Sequence, residues 1–439
     1  MDYIDTFTKS RALRAKAHLL IPGGCHTYAK GDDQYPEQAP GFIERGAGCH
    51  VCDVDGNEYI EYGMGLRAVS LGHAYPPVVQ AAHEQMLRGN NFTRPAPVEV
   101  ECAEALLDIL DGPEQVKFAK DGSTVVTAAV KLARAATGRD MVAICGDHPF
   151  FSYNDWFIGT TGVSGGIPAN ATALTLKFRY NDLESLQTLF DQYPQRICAV
   201  LTEAARTDEP AREFLVGLQN LCNREGALLI LDEMITGFRW HLRGAQHEYG
   251  ITPDLSTFGK AMSNGFALSA LVGKREIMDL GGITHDKERV FLLSTTHGAE
   301  NHALAATVKT LEIYKNEPVV ETMYQQGARL RRGVDAVVTE LGLNAYFGTA
   351  GRDCNLVFFT KDADGNHSQV FRALFLQELI KRGVIAPSFV VSYSHSNADI
   401  DATIEATRES LKVYAQALEE GPERFLVGPP VKPVYRRFN

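Results

Sequence analysis

The chain has 439 residues, 45% hydrophobic and 22% charged; these are ordinary values for a globular protein, and the length is too great for one compact core. Its formal net charge is −11 with no run of Lys or Arg, which argues against nucleic acid or an anionic membrane as a general partner. No stretch of about 18 apolar residues appears, and eight scattered cysteines do not resemble a disulfide framework, so a reduced, cytoplasmic setting is expected.

The N-terminal stretch lacks a basic flank followed by an apolar core. It reads as an amphipathic helix rather than a signal peptide, stopped by Pro22-Gly23-Gly24. Residues 50–62 alternate apolar and polar around Asp55-Gly56-Asn57, which predicts a β-hairpin. From about residue 74 to 320, short apolar runs (QVKFAK, DMVAIC, ICAVLTEA, ALLILDE, LSTFGK, LSALVGK) alternate with helical patterns such as TVVTAAVKLARAATG. That alternation predicts an α/β fold with a mostly parallel sheet covered on both faces. The tail from 321 reads as a smaller α+β domain: a long amphipathic helix, the strand CNLVFFT, and a last helix near 398–419. The expected division is 1–62 (helix and hairpin, packing with the small domain), 63–320 (large domain) and 321–439 (small domain).

Ligands of open α/β sheets sit at the C-terminal ends of the strands, and three features fall there. Gly122-Ser123-Thr124 follows a strand and opens a helix, where free N–H groups and a partial positive charge suit a phosphate; taken alone, Ser123 or Thr124 is an ordinary N-cap. Asp232 ends the run ALLILDE and could face a buried ring cation, or serve as a cap or salt-bridge partner. Met234 could lie beside a planar ring or simply pack in the core. Lys260, between a strand and a Gly/Ser-rich loop, could react with an aldehyde if desolvated; alone, a surface lysine is the usual case. Together, a phosphate cradle, a strand-end carboxylate and an isolated lysine are the grips needed for pyridoxal 5'-phosphate.

On these residues the chain resembles the class III, fold type I pyridoxal-phosphate aminotransferases, in particular their glutamate-1-semialdehyde aminomutase branch. The similarity runs through FIERGAGCHVCDVDGNEYIEY, FAKDGSTVVTAAVKLARAATGRD, LILDEMITGFR and PDLSTFGKAMSNGFALSALVGKREIM. It implies a large domain with a seven-stranded, mostly parallel sheet between helices, plus a smaller α+β domain. It also implies that Gly122 and Ser123 hold the phosphate, Asp232 pairs with the pyridine nitrogen, Met234 and Phe150 cover the two ring faces, Glu203 orders the site and Lys260 carries the cofactor's aldehyde. Thr296, or Thr295 with a one-residue shift, would reach the neighbouring subunit's phosphate across a homodimer.

The chain departs from the branch where substrate is recognised. CHTYAKGDDQYP after PGG has no arginine, Arg67 stands near an expected tryptophan, and Ala386-Pro387-Ser388 is not followed by a glutamate. The reaction expected is therefore transfer of an amino group from an amino acid donor, glutamate, to an aldehyde or keto acceptor. His26, Tyr28 and Lys30 would suit a sugar-like acceptor, although the same stretch also reads as a solvated loop. The alternatives are the aminomutase itself and a catalytically silent binding protein. No metal is expected: Cys49-His50-Val51-Cys52 has suitable spacing but no second pair, and Asp53-Val54-Asp55-Gly56-Asn57 lacks the glutamate that closes a calcium loop.

Overall fold

The computed structural model describes residues 3–438. The described residues form two compact units: one holds those through Tyr75 together with Glu321–Val434, the other Pro76–Val320 with the described residues from Tyr435. Residues 63–75 and the last residues thus lie outside the units to which the sequence pattern assigns them.

In the first unit, β1 (Ile43–Ala47), β2 (His50–Asp53) and β3 (Glu58–Glu61) form an antiparallel meander. The turn between β2 and β3 is built on the buried Asp53. Its carboxylate accepts from the backbone N–H groups of Asp55 (2.9 Å) and Asn57 (2.8 Å), from the Asn57 amide (2.8 Å) and from the Tyr59 hydroxyl (3.0 Å). Gly56 supplies the left-handed residue, at φ 96°. Later in the chain, β13 (Val384–Ile385) adds in parallel to β3, and β11 (Phe347–Ala350) pairs with β12 (Val357–Thr360). The longer helices of this unit are Thr8–Leu20, the Glu321-containing helix that begins at Val319, Gln369–Lys381 and Asn397–Glu420.

The second unit carries a seven-stranded sheet in the order β4-β10-β9-β8-β7-β5-β6. Its strands are β4 (Gln115–Ala119), β5 (Met141–Cys145), β6 (Thr175–Phe178), β7 (Ile197–Glu203), β8 (Leu228–Asp232), β9 (Leu255–Phe258) and β10 (Ser269–Gly273). Only β10 runs against its neighbours; β9-β8-β7-β5-β6 are parallel. The inner strands are buried along nearly their whole length, which is why they read as unbroken apolar runs rather than alternating ones. The helix Gly122–Thr137 packs on β7 to β10 with Val125, Val126, Ala128, Ala129, Val130 and Ala133 buried. Among the described residues, no helix is long and apolar enough to cross a membrane.

Candidate active site

Three neighbouring strands end in register. Glu203 of β7 lies opposite Asp232 of β8, and Asp232 lies opposite Thr257 of β9. Partners in adjacent strands project from the same sheet face, so one edge of the sheet carries two carboxylates and a hydroxyl side by side. Asp232 is 3% exposed. Both of its hydrogen bonds go to Oδ1, from the Met234 N–H at 2.9 Å and the Thr257 hydroxyl at 3.2 Å; Oδ2 keeps its lone pairs for another donor. Burial raises the Asp232 pKa, and the positive charge of Lys260 opposes that rise.

Glu233, one residue on, does different work. Its carboxylate accepts from the backbone N–H groups of Ala245 (3.0 Å) and Gln246 (2.7 Å) and from the Thr236 hydroxyl. It fastens the 233–246 segment, and burial pushes its pKa up to about 7.

Lys260 follows β9 after a single residue, Gly259. It is half-buried, at φ 47°, a left-handed conformation that costs a non-glycine residue about 1–2 kcal/mol and that collects at functional sites. Gly259 before it has extended backbone but no room for a side chain: a Cβ there would lie 2.7 Å from both Met234 Sδ and Ser269 Oγ. A Cβ on Gly122 would lie 3.1 Å from the same sulfur. Met234, 7% exposed, is thus the common neighbour of the phosphate-loop glycine and the glycine that precedes the lysine. Asp232, Met234, Lys260 and Gly122 come together as one group.

The helix above this group is capped by Asp121, not by Ser123 or Thr124. The Asp121 carboxylate accepts from the Thr124 N–H at 2.9 Å and also holds the Thr124 hydroxyl. Ser123 Oγ instead accepts from the Tyr153 N–H at 3.1 Å, tying the helix start to the aromatic loop. Phe150 of that loop is 43% exposed, with its ring edge-on to Phe157 at 6.3 Å and tilted against Tyr435 at 6.4 Å; Phe151 is buried. Thr295 and Thr296 are exposed, and the Thr296 carbonyl accepts from the Asn91 amide at 3.1 Å. Their loop meets the phosphate loop through Lys120 Nζ and Glu300 Oε2, 2.5 Å apart.

Sequence reasoning missed the groups that brace Glu203. His148 is buried, and its Nδ1 accepts from the Glu203 N–H at 3.1 Å. Burial, helped by the nearby Arg206 cation, lowers the His148 pKa to about 3, so the ring is neutral with its proton on Nε2. Arg206 Nε stands 3.4 Å from Glu203 Oε2. The signal for His148 was its place two residues before Phe150, in a stretch read only for its aromatics.

The first unit has a separate cavity of about 530 Å³ lined in part by Arg14, His26, Lys30, Glu61, Leu66 and His73. The sequence after PGG offers no arginine, but the preceding helix delivers Arg14, whose Nε lies 3.0 Å from Asp32 Oδ1. Tyr28 is 71% exposed and does not line the cavity. Glu61 accepts from the Met64 N–H at 2.6 Å, and its other oxygen is 2.9 Å from His73 Nε2. Beside it, Met64, Gly65, Leu66 and Arg67 all have positive φ, between 44° and 72°, making one left-handed turn closed by the Arg67 N–H on the Gly63 carbonyl at 3.0 Å.

The residues at the sheet edge fit pyridoxal phosphate: a buried strand-end carboxylate with an oxygen to spare, a lysine beside it, and a floor that two glycines keep open. Comparison with known proteins agrees. Residues 32–341 match the family model described as aminotransferase class-III. The chain is 31% identical to a glutamate-1-semialdehyde 2,1-aminomutase of Desulfitobacterium hafniense, over 92% of this chain and 98% of the relative. It is also 31% identical to a 3-aminobutyryl-CoA aminotransferase of Cloacimonas acidaminovorans, over 92% and 96%. Among solved structures, the FumI protein of Sphingopyxis sp. MTA144 in its PLP internal aldimine form superposes with a TM-score of 0.87 at 27% identity, covering 96% of this chain and all of that one. A transaminase with PLP bound superposes with a TM-score of 0.85 at 26% identity, covering 95% and 99%. The chain belongs to the class III aminotransferases, fold type I, and is a pyridoxal-phosphate-dependent transaminase.

Proposed function

We propose that the enzyme moves an amino group from an amino acid donor, glutamate, to an aldehyde or keto acceptor of sugar-like character. The observation that carries the chemistry is the buried Asp232, with Oδ2 uncommitted and the charge of Lys260 acting on it, over a floor closed by Met234. Pyridoxal phosphate, when bound, supplies a carbonyl for the amine and an electron sink for the carbanion. Asp232 would hold a proton on the pyridine nitrogen, a pairing that its burial would strengthen. The Lys260 amine would take the proton from the donor's α-carbon and deliver it to the carbon on the other side of the intervening nitrogen. Gly122 and Ser123 would offer helix-end N–H groups to the phosphate, Met234 and Phe150 would flank the ring, and Glu203, braced by His148 and Arg206, would order the edge of the site. Thr296 serves the phosphate of a second subunit in a homodimer. The eight free cysteines support a reduced, cytoplasmic setting.

The acceptor assignment is supported by the mixture of cationic, anionic and hydroxyl groups around the first-unit cavity, where His26 and Lys30 join Arg14, Tyr35 and Glu61. A second reading, the aminomutase, is favoured by the 31% identical aminomutase relative. The purified enzyme treated with borohydride should yield a cofactor-labelled peptide containing Lys260. Glutamate should bleach the visible absorbance, and hydroxylated aldehydes or ketones should restore it. Label on another lysine removes the site assignment; restoration only by glutamate semialdehyde, with no added donor needed for turnover, establishes the mutase.

A further inference from the structure

Asp399 lies 350 positions after Cys49 in the chain, yet it meets Cys49 and His50 in the first unit. Each offers one metal-ligating atom, and these atoms all lie within 4.8 Å of one another. Asp399 Oδ2 is 3.5 Å from Cys49 Sγ, and Oδ1 is 2.9 Å from His50 Nε2. Among the described residues the buried thiol otherwise reaches the Ser394 carbonyl, at 3.7 Å, so its contacts are long ones. The second imidazole nitrogen, Nδ1, lies 3.2 Å from Glu58 Oε1. A carboxylate on the far nitrogen of a histidine fixes the ring and its tautomer, as it does for metal-bound imidazoles. Asp399 is held from its other side by the Ser396 N–H at 2.9 Å and the Ser396 hydroxyl at 2.6 Å, in the capping box of the helix Asn397–Glu420.

We propose that Cys49, His50 and Asp399 bind a divalent transition-metal ion, zinc by their donor chemistry, with water as the fourth ligand. Sulfur, imidazole nitrogen and carboxylate oxygen are the donors zinc takes, at about 2.0–2.3 Å in tetrahedral array. Donor atoms of such an array stand somewhat over ~3 Å apart; Asp399 Oδ1 and His50 Nε2, at 2.9 Å, are already near that separation, and the three donor atoms, within 4.8 Å of one another, draw into the array on binding. The motif is not the Cys-x-x-Cys spacing visible in the sequence. Cys52 lies apart, within 3.4 Å of the Arg45 guanidinium, and the third ligand comes from a helix start that the sequence gives no reason to connect with it. Binding releases the Cys49 thiol proton and any proton shared between His50 and Asp399 to solvent. The ion joins the start of β2 to the start of the last long helix and withholds a thiol from oxidation. It has no part in amino transfer.

The test uses tag-free holoenzyme, equilibrated with zinc and freed of loose metal. Elemental analysis should find one zinc per chain. Cobalt in its place should give thiolate-to-metal and d–d absorption, the latter to the red of the cofactor bands. Cys49→Ser should abolish the thiolate band and Cys52→Ser should leave it. Glu58→Gln should weaken zinc binding by about 10- to 100-fold. If Cys49→Ser does not fold, Asp399→Asn, which keeps an oxygen for the Ser396 cap, should shift the cobalt spectrum instead. Metal well below one per chain, or a cobalt spectrum indifferent to both variants, overturns the proposal and leaves a hydrogen-bonded cluster. Because the readout is metal content and cobalt colour, it stands or falls separately from the assignment of substrates.

Discussion

The edge of the seven-stranded sheet and the cavity of the first unit set their polar groups in place by different means. At the sheet edge, Glu203, Asp232 and Thr257 are fixed by strand register, and Lys260 follows three residues later. Each group sits in a short contiguous motif, and strand pairing does the rest. Around the cavity, Arg14 comes from a helix, His26 and Lys30 from short turns, Glu61 from a strand end, and Leu66 from a left-handed turn. Those positions depend on contacts between segments far apart in sequence and on backbone strain. The sheet-edge groups are thus written locally, while the lining of this cavity is assembled at long range.

Breaking the sheet-edge group should have the largest effects. Lys260→Ala should lower turnover by about 10⁴-fold or more, since it removes both the attachment of the cofactor and proton transfer; pre-steady-state bleaching with glutamate measures it. Asp232→Asn should cost about 10²- to 10³-fold in kcat, with a smaller change in KM and a shifted cofactor spectrum. Retention of full kcat would remove Asp232 from the chemistry.

Glu233 sharpens the contrast because it borders the same site but acts on stability. Its folded pKa, about 7, lies above the ordinary glutamate value of 4.5. The folded chain therefore holds a proton that the unfolded chain has released across that window, and the contribution of Glu233 to stability declines as pH rises from about 4.5 to 7, by roughly 3 kcal/mol at most. Thermal unfolding of Glu233→Gln should show a flatter pH dependence over that range than the parent. Gly259→Ala should be smaller, about 1–3 kcal/mol from overpacking against Met234 and Ser269, with weaker cofactor binding in a fluorescence titration. The smallest effect belongs to the first unit: Leu66→Gly should relieve strain and change stability by about 1 kcal/mol or less in the favourable direction. A clear loss in a denaturant titration would mean that the Leu66 side chain contributes more than its backbone costs.

Much of the sheet edge could be read before the structure. The apolar runs ending at Glu203, Asp232 and Phe258 announced buried parallel strands, and a carboxylate or a lysine at such an end falls where ligands collect. What could not be read were the interactions that cross the chain. The Asp121 cap frees Ser123 to hold the Tyr153 N–H, a choice between equivalent-looking residues that only helix geometry resolves. His148 under Glu203 and Arg14 beside Asp32 depend on which strands and segments become neighbours. The turn at 64–67 was invisible because Leu and Arg carry no preference for positive φ; tertiary packing imposes it.

Side chains along a strand alternate between its two faces, so the shared register of β7, β8 and β9 leaves no graded middle state. Slip any one of these strands by a single residue, and its acid or hydroxyl turns to the opposite side of the sheet. A partly disordered enzyme would not keep a weakened site; it would have none, and the bleaching of its yellow colour on heating should follow the melting of these three strands as one event.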